Sequence, residues 1–152
     1  MDKRSFAVAV ATLGGIGFSP WCPGTVASAV TAVLWWFLPS LSLTMQFLIL
    51  GLLSAFAIWT STIAERYLGV HDPSCIVIDE AVGMVLALLG CPRMWWVYLL
   101  AFALFRLFDI VKPGPISRLQ KLPRGWGIVM DDVAAGASAR LVLMGLFYVL
   151  AV

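Results

Sequence analysis

Long apolar segments separated by short polar stretches restrict the fold of this chain more than any other feature. Five such segments cover most of it: Thr25–Leu38, Leu43–Ala64, Ile76–Gly90, Met94–Val111 and Val133–Val152. A membrane-crossing helix needs about 20 residues, so the second, fourth and fifth segments are long enough. The first and third are short, and each either crosses or forms a partial helix. Only 12% of the residues are charged, against about 25% in a typical soluble domain.

These segments predict an all-α, polytopic membrane protein with a single domain over residues 1–152 and a bundle of four or five transmembrane helices. A Gly/Pro-rich N-terminal loop, GGIGFSPWCPGT, precedes the first segment. The apolar stretch Phe6–Phe18 contains three glycines and is predicted to be interfacial or re-entrant. Because Gly14 and Gly15 interrupt it, we treat it as part of the mature protein and not as a cleaved signal peptide.

The basic residues predict the orientation of the bundle. If all five segments cross, seven Lys and Arg residues of the termini and loops fall on one side and only Arg93 on the other. The positive-inside rule makes the first side cytoplasmic, with the loop 112–130. The net charge of +2 and the lack of a nucleic-acid motif argue against DNA or RNA as a partner. One histidine and three cysteines without a CxxC pair argue against zinc.

Five acidic residues lie at the predicted cytoplasmic ends of three apolar segments. Asp79 and Glu80 begin the third segment, Asp109 ends the fourth, and Asp131 and Asp132 immediately precede the fifth. In an up-down bundle all five meet on one face at one depth. Ionisable groups in membrane segments are candidates for function, and a set of carboxylate oxygens favours Mg²⁺ or Mn²⁺.

Each acidic group also has a purely structural interpretation. The two acidic pairs suit helix starts, as N-caps or first-turn residues. Asp109 falls in the last turn of its helix, where the dipole disfavours an anion, so its structural interpretation is an ion pair with Arg106 or Lys112. Arg140 lies deeper in the fifth segment, where it snorkels to the interface, pairs with an acid or reaches a lipid phosphate.

The Gly/Pro-rich loop lies on the same predicted side as the acidic residues. Its glycines let the backbone approach a ligand, and Thr25 can cap the first helix, whose N-terminal amides favour a phosphate. Ser19 and Thr25 are therefore candidate substrate-binding residues, together with Arg106 and Lys112. An ordinary turn entering the membrane is the structural alternative.

Four motifs, GIGFSPWCPGT, IDEAVG, FRLFDIVKPGPI and GIVMDDVAAG, resemble in the same order those of the phosphatidylglycerophosphatase A family. The resemblance implies a Mg²⁺-dependent, multi-pass phosphatase of the bacterial inner membrane, with a site that faces the cytoplasm and converts phosphatidylglycerophosphate to phosphatidylglycerol. It assigns catalysis to Lys112, and both catalysis and metal binding to Asp79, Glu80, Asp109, Asp131 and Asp132. The departures, at Cys22, Ala27 and Trp126, affect loop packing and leave every acidic position intact.

Two alternatives stay open. The first is a phosphatase for a different lipid phosphate, and the second, from another class, is a cation or proton carrier. A carrier would distribute carboxylates through the depth of the membrane, whereas these cluster at one end. The sequence also leaves open a homo-oligomer, the number of metal ions and the identity of the general base.

Overall fold

A computed structural model describes residues 2–150, apart from the side chains of Pro115 and Leu150. This part of the chain forms seven α-helices and contains no β-strand, which confirms the predicted all-α class. The helices are α1 (Lys3–Ala11), α2 (Pro23–Phe37), α3 (Leu43–Leu68), α4 (Ile78–Leu88), α5 (Trp95–Val111), α6 (Gly114–Leu119) and α7 (Gly125–Leu150), with a 3-10 turn at Ile16–Phe18.

Two helices, α3 and α7, are long and apolar enough to cross a membrane. Both expose large apolar side chains, such as Leu52 on α3 and Leu141 on α7. Helix α2 has 15 residues and α5 has 17, which correspond to roughly 22 and 25 Å of helix, less than a hydrocarbon core of about 30 Å. By length and composition, the structure thus supports two of the four or five predicted crossings.

Helix α4 is a short central helix that contacts α2, α3, α5 and α7. It has 11 residues, and its apolar side chains, including Val82, Met84 and Leu88, are buried. A helix of this length extends about 16 Å, roughly half of a hydrocarbon core. The third apolar segment is therefore a partial helix, the second of its two predicted outcomes, and its apolar side chains contact other helices.

Two glycines set the distance between α4 and α7. A Cβ atom added at Gly136 would lie 2.3 Å from the carbonyl oxygen of Gly83, so the two backbones are in direct contact. Asp79 lies four residues before Gly83, and Asp132 lies four residues before Gly136. Residues four apart share a helix face, so this backbone contact places the two carboxylates beside each other.

Helix α7 begins earlier than the sequence predicts. The fifth apolar segment predicts a start at Val133, with the two preceding acids as N-cap residues, whereas α7 starts at Gly125. Asp131 and Asp132 therefore lie inside the helix, and the N-cap interpretation is wrong. A Cβ atom at Gly125 would lie 2.3 Å from the carbonyl oxygen of Ile58, so this glycine serves helix packing against α3.

Polar contacts lie at the C-terminal end of α4. The Gly90 amide donates a hydrogen bond of 2.8 Å to Gln46 Oε1 on α3. Arg140 of α7 donates to Cys91 Sγ at 3.3 Å and forms no ion pair within the described residues. Its charge therefore lies near the C-terminal end of α4, where the helix dipole favours a cation, and pairing with an acid is not its role.

Candidate active site

A cavity of about 440 Å³ lies where α2, α4, α5 and α7 meet. The N-terminus of α2, the loop before α4, the first turn of α4 and the C-terminal end of α5 form its walls, together with α7. Seven of the charged residues singled out in the sequence line it: Asp79, Glu80, Arg106, Asp109, Lys112, Asp131 and Asp132. The structure thus brings the acidic groups of three apolar segments to one place.

Three of the acids form a compact cluster. Asp79, Glu80 and Asp132 each place one carboxylate oxygen within 4.8 Å of the other two. Each also has a buried oxygen without a hydrogen-bond partner among the described residues: Asp79 Oδ1, Glu80 Oε2 and Asp132 Oδ2. Buried charges are costly unless they are paired or bind a metal. A cluster of oxygen donors with unused lone pairs fits a hard divalent cation such as Mg²⁺.

Basic side chains contact the other two acids and also Glu80, whose Oε1 lies 3.9 Å from Arg106 Nη1. Asp109 Oδ2 lies 2.5 Å from Arg106 Nη1, and Asp109 Oδ1 lies 3.9 Å from Lys112 Nζ. Lys112 Nζ donates a hydrogen bond of 2.5 Å to Asp131 Oδ2. Asp109 therefore lies between two cations, which offsets its unfavourable position in the last turn of α5. Asp109 thus forms the predicted ion pairs with Arg106 and Lys112, and it also lines the cavity.

Lys112 is held at the end of α5 with its charge directed into the cavity. It adopts a left-handed backbone conformation, with φ of 43°, at the C-cap of the helix. Burial lowers the pKa of its ammonium group, but the hydrogen bond to Asp131 and the charges of Asp131, Asp132 and Asp109 outweigh this and raise the pKa above its ordinary value. Lys112 is therefore positively charged at neutral pH and is suited to bind an anion.

The N-terminus of α2 forms the wall opposite α4. Helix α2 begins at Pro23 with Cys22 as its N-cap, so Thr25 lies inside the helix and does not cap it as predicted. Thr25 nevertheless lines the cavity. A Cβ atom at Gly24 would lie 2.0 Å from Glu80 Oε1, so a larger residue here would displace this carboxylate. The approach at Gly24 is to a carboxylate of the protein, so the predicted approach of the loop glycines to a ligand stays a prediction.

Two residues differ from the sequence-based assignment. Ser19 is not among the residues that line the cavity, and its hydroxyl donates a hydrogen bond of 3.2 Å to the carbonyl oxygen of Trp21. Asp72, which the sequence patterns do not single out, does line it and accepts a hydrogen bond of 2.8 Å from Gln120 Nε2. Its position in a loop just before the IDE motif is the signal that could have found it.

Comparisons with known proteins identify the family of this chain. A family model described as Phosphatidylglycerophosphatase A matches residues 9–147. A protein of Bacteroides thetaiotaomicron named putative phosphatidylinositol-3-phosphatase is 40% identical, over 90% of this chain and 91% of its own length. Phosphatidylglycerophosphatase A of Haemophilus influenzae is 37% identical, over 86% and 80%, and that of Escherichia coli is 33% identical, over 80% and 72%.

No solved structure matches this chain. The family model nevertheless covers most of it, and the two relatives from Haemophilus and Escherichia carry the name of the same family. The resemblance of the four sequence motifs is thereby confirmed. The chain belongs to the phosphatidylglycerophosphatase A family and is a phosphatase.

Proposed function

We propose that this enzyme hydrolyses phosphatidylglycerophosphate to phosphatidylglycerol and inorganic phosphate, with Mg²⁺, at the cytoplasmic face of the bacterial inner membrane. One observation carries the proposal: a cluster of buried carboxylates with unpartnered oxygens shares a cavity with two basic side chains. Two relatives are named for this activity. The reaction would serve the synthesis of phosphatidylglycerol.

The carboxylate cluster supports the assignment of Mg²⁺. Asp79, Glu80 and Asp132 would hold the ion, since their oxygens lie close together and one oxygen of each is buried without a hydrogen-bond partner among the described residues. When bound, Mg²⁺ polarises a phosphate and lowers the pKa of a bound water. Asp109 and Asp131 are engaged by basic residues, so we assign them first to holding Arg106 and Lys112 and second to metal binding.

The basic residues supply the complementary charge for the substrate. Lys112 and Arg106 would bind the phosphate oxygens, as cationic groups do in other phosphoryl transfers, and the N-terminus of α2 favours an anion nearby. In hydrolysis, a water oxygen bonds to phosphorus, the bond from phosphorus to the glycerol oxygen breaks, and the released alkoxide takes a proton. Asp131 and Asp132 are the two candidates for the base that accepts the proton of the water.

Exposed apolar surface supports a membrane location. Helices α3, α5 and α7 expose large apolar side chains, such as Leu52, Leu107 and Leu141, and a soluble monomer rarely exposes an extended apolar surface. We propose that α3 and α7 cross the bilayer and that α2 and α5 insert beside them. The cavity then lies at the cytoplasmic interface, where a lipid presents its headgroup while its tails stay in the bilayer.

A second lipid phosphate is the main alternative. The relative from Bacteroides thetaiotaomicron is named for phosphatidylinositol 3-phosphate, and the cavity chemistry fits any phosphate monoester. A cation carrier is less well supported, because the five acids surround one cavity and are not distributed along a path. Substrate preference therefore needs a direct measurement.

The test measures phosphate release by the purified full-length protein in detergent. Phosphatidylglycerophosphate, phosphatidylinositol 3-phosphate and phosphatidic acid are compared at equal surface concentration, with Mg²⁺ and with a chelator. We expect the first lipid to have the highest kcat/KM and the chelator to abolish turnover. A preference for phosphatidylinositol 3-phosphate would replace the proposed substrate, and full turnover in the chelator would reject the metal.

A further inference from the structure

An apolar groove of about 480 Å³ lies between the C-terminal half of α2 and the N-terminal half of α5. Aliphatic and aromatic side chains line it, among them Ala29, Val33 and Trp36 on α2 and Leu99 and Phe102 on α5. Trp36 packs edge-to-face on Tyr98 with ring centroids 5.0 Å apart, which joins the two helices beneath the groove. Within residues 2–150, no charged side chain lines the groove.

The two helices that form the groove also form the active-site cavity. On α2, Thr25 lines the cavity, and Ala29 and Val33 follow it at intervals of four residues. On α5, Arg106 lines the cavity, and Phe102 and Leu99 precede it by four and seven residues. Residues at these intervals lie on one helix face, so cavity and groove are consecutive parts of one surface.

The distances along α5 match the dimensions of the proposed substrate. From Asp109, Phe102 lies seven residues away and Trp95 fourteen, or about 10 and 21 Å along the helix. In phosphatidylglycerophosphate, about eleven covalent bonds separate the terminal phosphorus from an acyl carbonyl, or roughly 13 Å when extended. With the phosphate in the cavity, an acyl chain would start near Phe102 and run towards Trp95.

We propose that this groove binds the first part of one acyl chain of the lipid substrate, an inference that rests on the proposed function. Its length of about 10 Å accommodates about eight methylene groups. Lipid tails are already in an apolar medium in the bilayer, so the groove adds little hydrophobic free energy there. Its main effect would be to fix the depth of the phosphate relative to the carboxylates.

The first test uses short-chain substrates below their micelle concentration. For the wild type, kcat/KM should rise by up to about fourfold per added methylene and level off near about eight carbons. The preference for an acylated substrate is the kcat/KM for the dioctanoyl lipid divided by the kcat/KM for the deacylated headgroup. In Ala29→Trp this preference should be about tenfold lower than in the wild type, which corresponds to the loss of roughly two methylene contacts. Ala55→Trp, at an exposed position on α3, is the matched control and should keep the wild-type preference.

Photo-crosslinking provides a readout that does not depend on turnover. A phosphatidylglycerophosphate with a diazirine in its acyl chain should label the peptides 29–37 and 95–102, and more strongly than a diazirine phosphatidylcholine does. Ala29→Trp should lose this labelling, and Ala29→Leu provides a smaller change if the tryptophan variant does not fold.

The outcomes separate this inference from the proposed function. Equal labelling by both lipids, or a chain-length profile that Ala29→Trp leaves unchanged, would overturn the groove even with an active enzyme. A wild-type enzyme that labels as expected but releases no phosphate would overturn the proposed function alone. If a second copy of the chain occupied the groove, Ala29→Trp would have a smaller particle mass in detergent than the wild type, and the chain-length profile would not change. That result would also overturn the inference.

Discussion

Replacing Gly136 by alanine tests whether backbone contact between α4 and α7 sets the geometry of the carboxylate cluster. The added Cβ would lie 2.3 Å from the Gly83 carbonyl oxygen, whereas an ordinary contact is about 3.5 Å. The helices must therefore separate by about 1 Å. Because Asp132 lies one turn before Gly136, it moves away from Asp79 by a similar distance.

A shift of this size matters for both metal binding and catalysis. Oxygen ligands of Mg²⁺ lie at about 2.0–2.1 Å with little tolerance, and a misplacement of about 1 Å can lower activity by about 100-fold. Overpacking destabilises by about 1–3 kcal/mol, and the better helix propensity of alanine offsets about 1 kcal/mol of that. We expect Gly136→Ala to fold with slightly reduced stability, lose about 100-fold in kcat and require more Mg²⁺.

Phosphate release against Mg²⁺ concentration, together with thermal unfolding, measures these effects. Gly145→Ala on the same helix is the matched control, because a Cβ there meets no described atom within 4 Å, and it should keep full activity. The contrary outcome is a folded Gly136→Ala that matches the wild type in its Mg²⁺ requirement and keeps kcat to within about twofold, equivalent to about 0.4 kcal/mol of barrier. In that case the backbone contact would not determine the geometry of the site.

Three further predictions concern single residues. Asp132→Asn should raise the Mg²⁺ concentration for half-maximal activity, whereas Asp131→Asn should lower kcat/KM at an unchanged Mg²⁺ requirement, because Asp131 contacts the phosphate-binding lysine and is a candidate base; equal Mg²⁺ curves for the two variants would contradict this division. Asp109→Asn should leave the protein folded and lower kcat/KM by more than about tenfold, or about 1.4 kcal/mol; a smaller loss would make Asp109 a structural ion-pair residue. In a background without native cysteines, Lys121→Cys should react with a maleimide only from the cytoplasm, and labelling from the periplasm would reverse the proposed orientation.

The place of Asp109 shows what could be predicted from sequence. A proline two residues after the end of α5 indicates the helix end closely, and the dipole argument then requires cationic partners for Asp109. The structure has both of the expected partners, Arg106 and Lys112, within 4 Å of it. The sequence suffices here because the proline that ends the helix and the two partners of Asp109 all lie within four residues of it.

The start of α7 and the length of α4 show what could not be predicted. Gly125 and its neighbours look like a loop, because their contacts with α3 are invisible in sequence. The apolar residues of α4 are equally suited to lipid and to other helices, so hydropathy could not distinguish a core helix from a crossing. For Asp72, the sequence shows only that it lies shortly before the IDE motif, and tertiary structure brings its loop to the cavity.

The short length of α4 has a consequence for the two leaflets of the bilayer. The carboxylates lie at one end of this helix, and the hydrogen bonds of Gly90 and Arg140 lie at the other end. In the proposed orientation, a lipid in the far leaflet presents its phosphate at the opposite end of α4 from the carboxylates. In sealed vesicles with uniformly oriented enzyme and lipids that do not change leaflets, we expect hydrolysis to stop when about half of the substrate is consumed, and a lipid-scrambling agent to restart it.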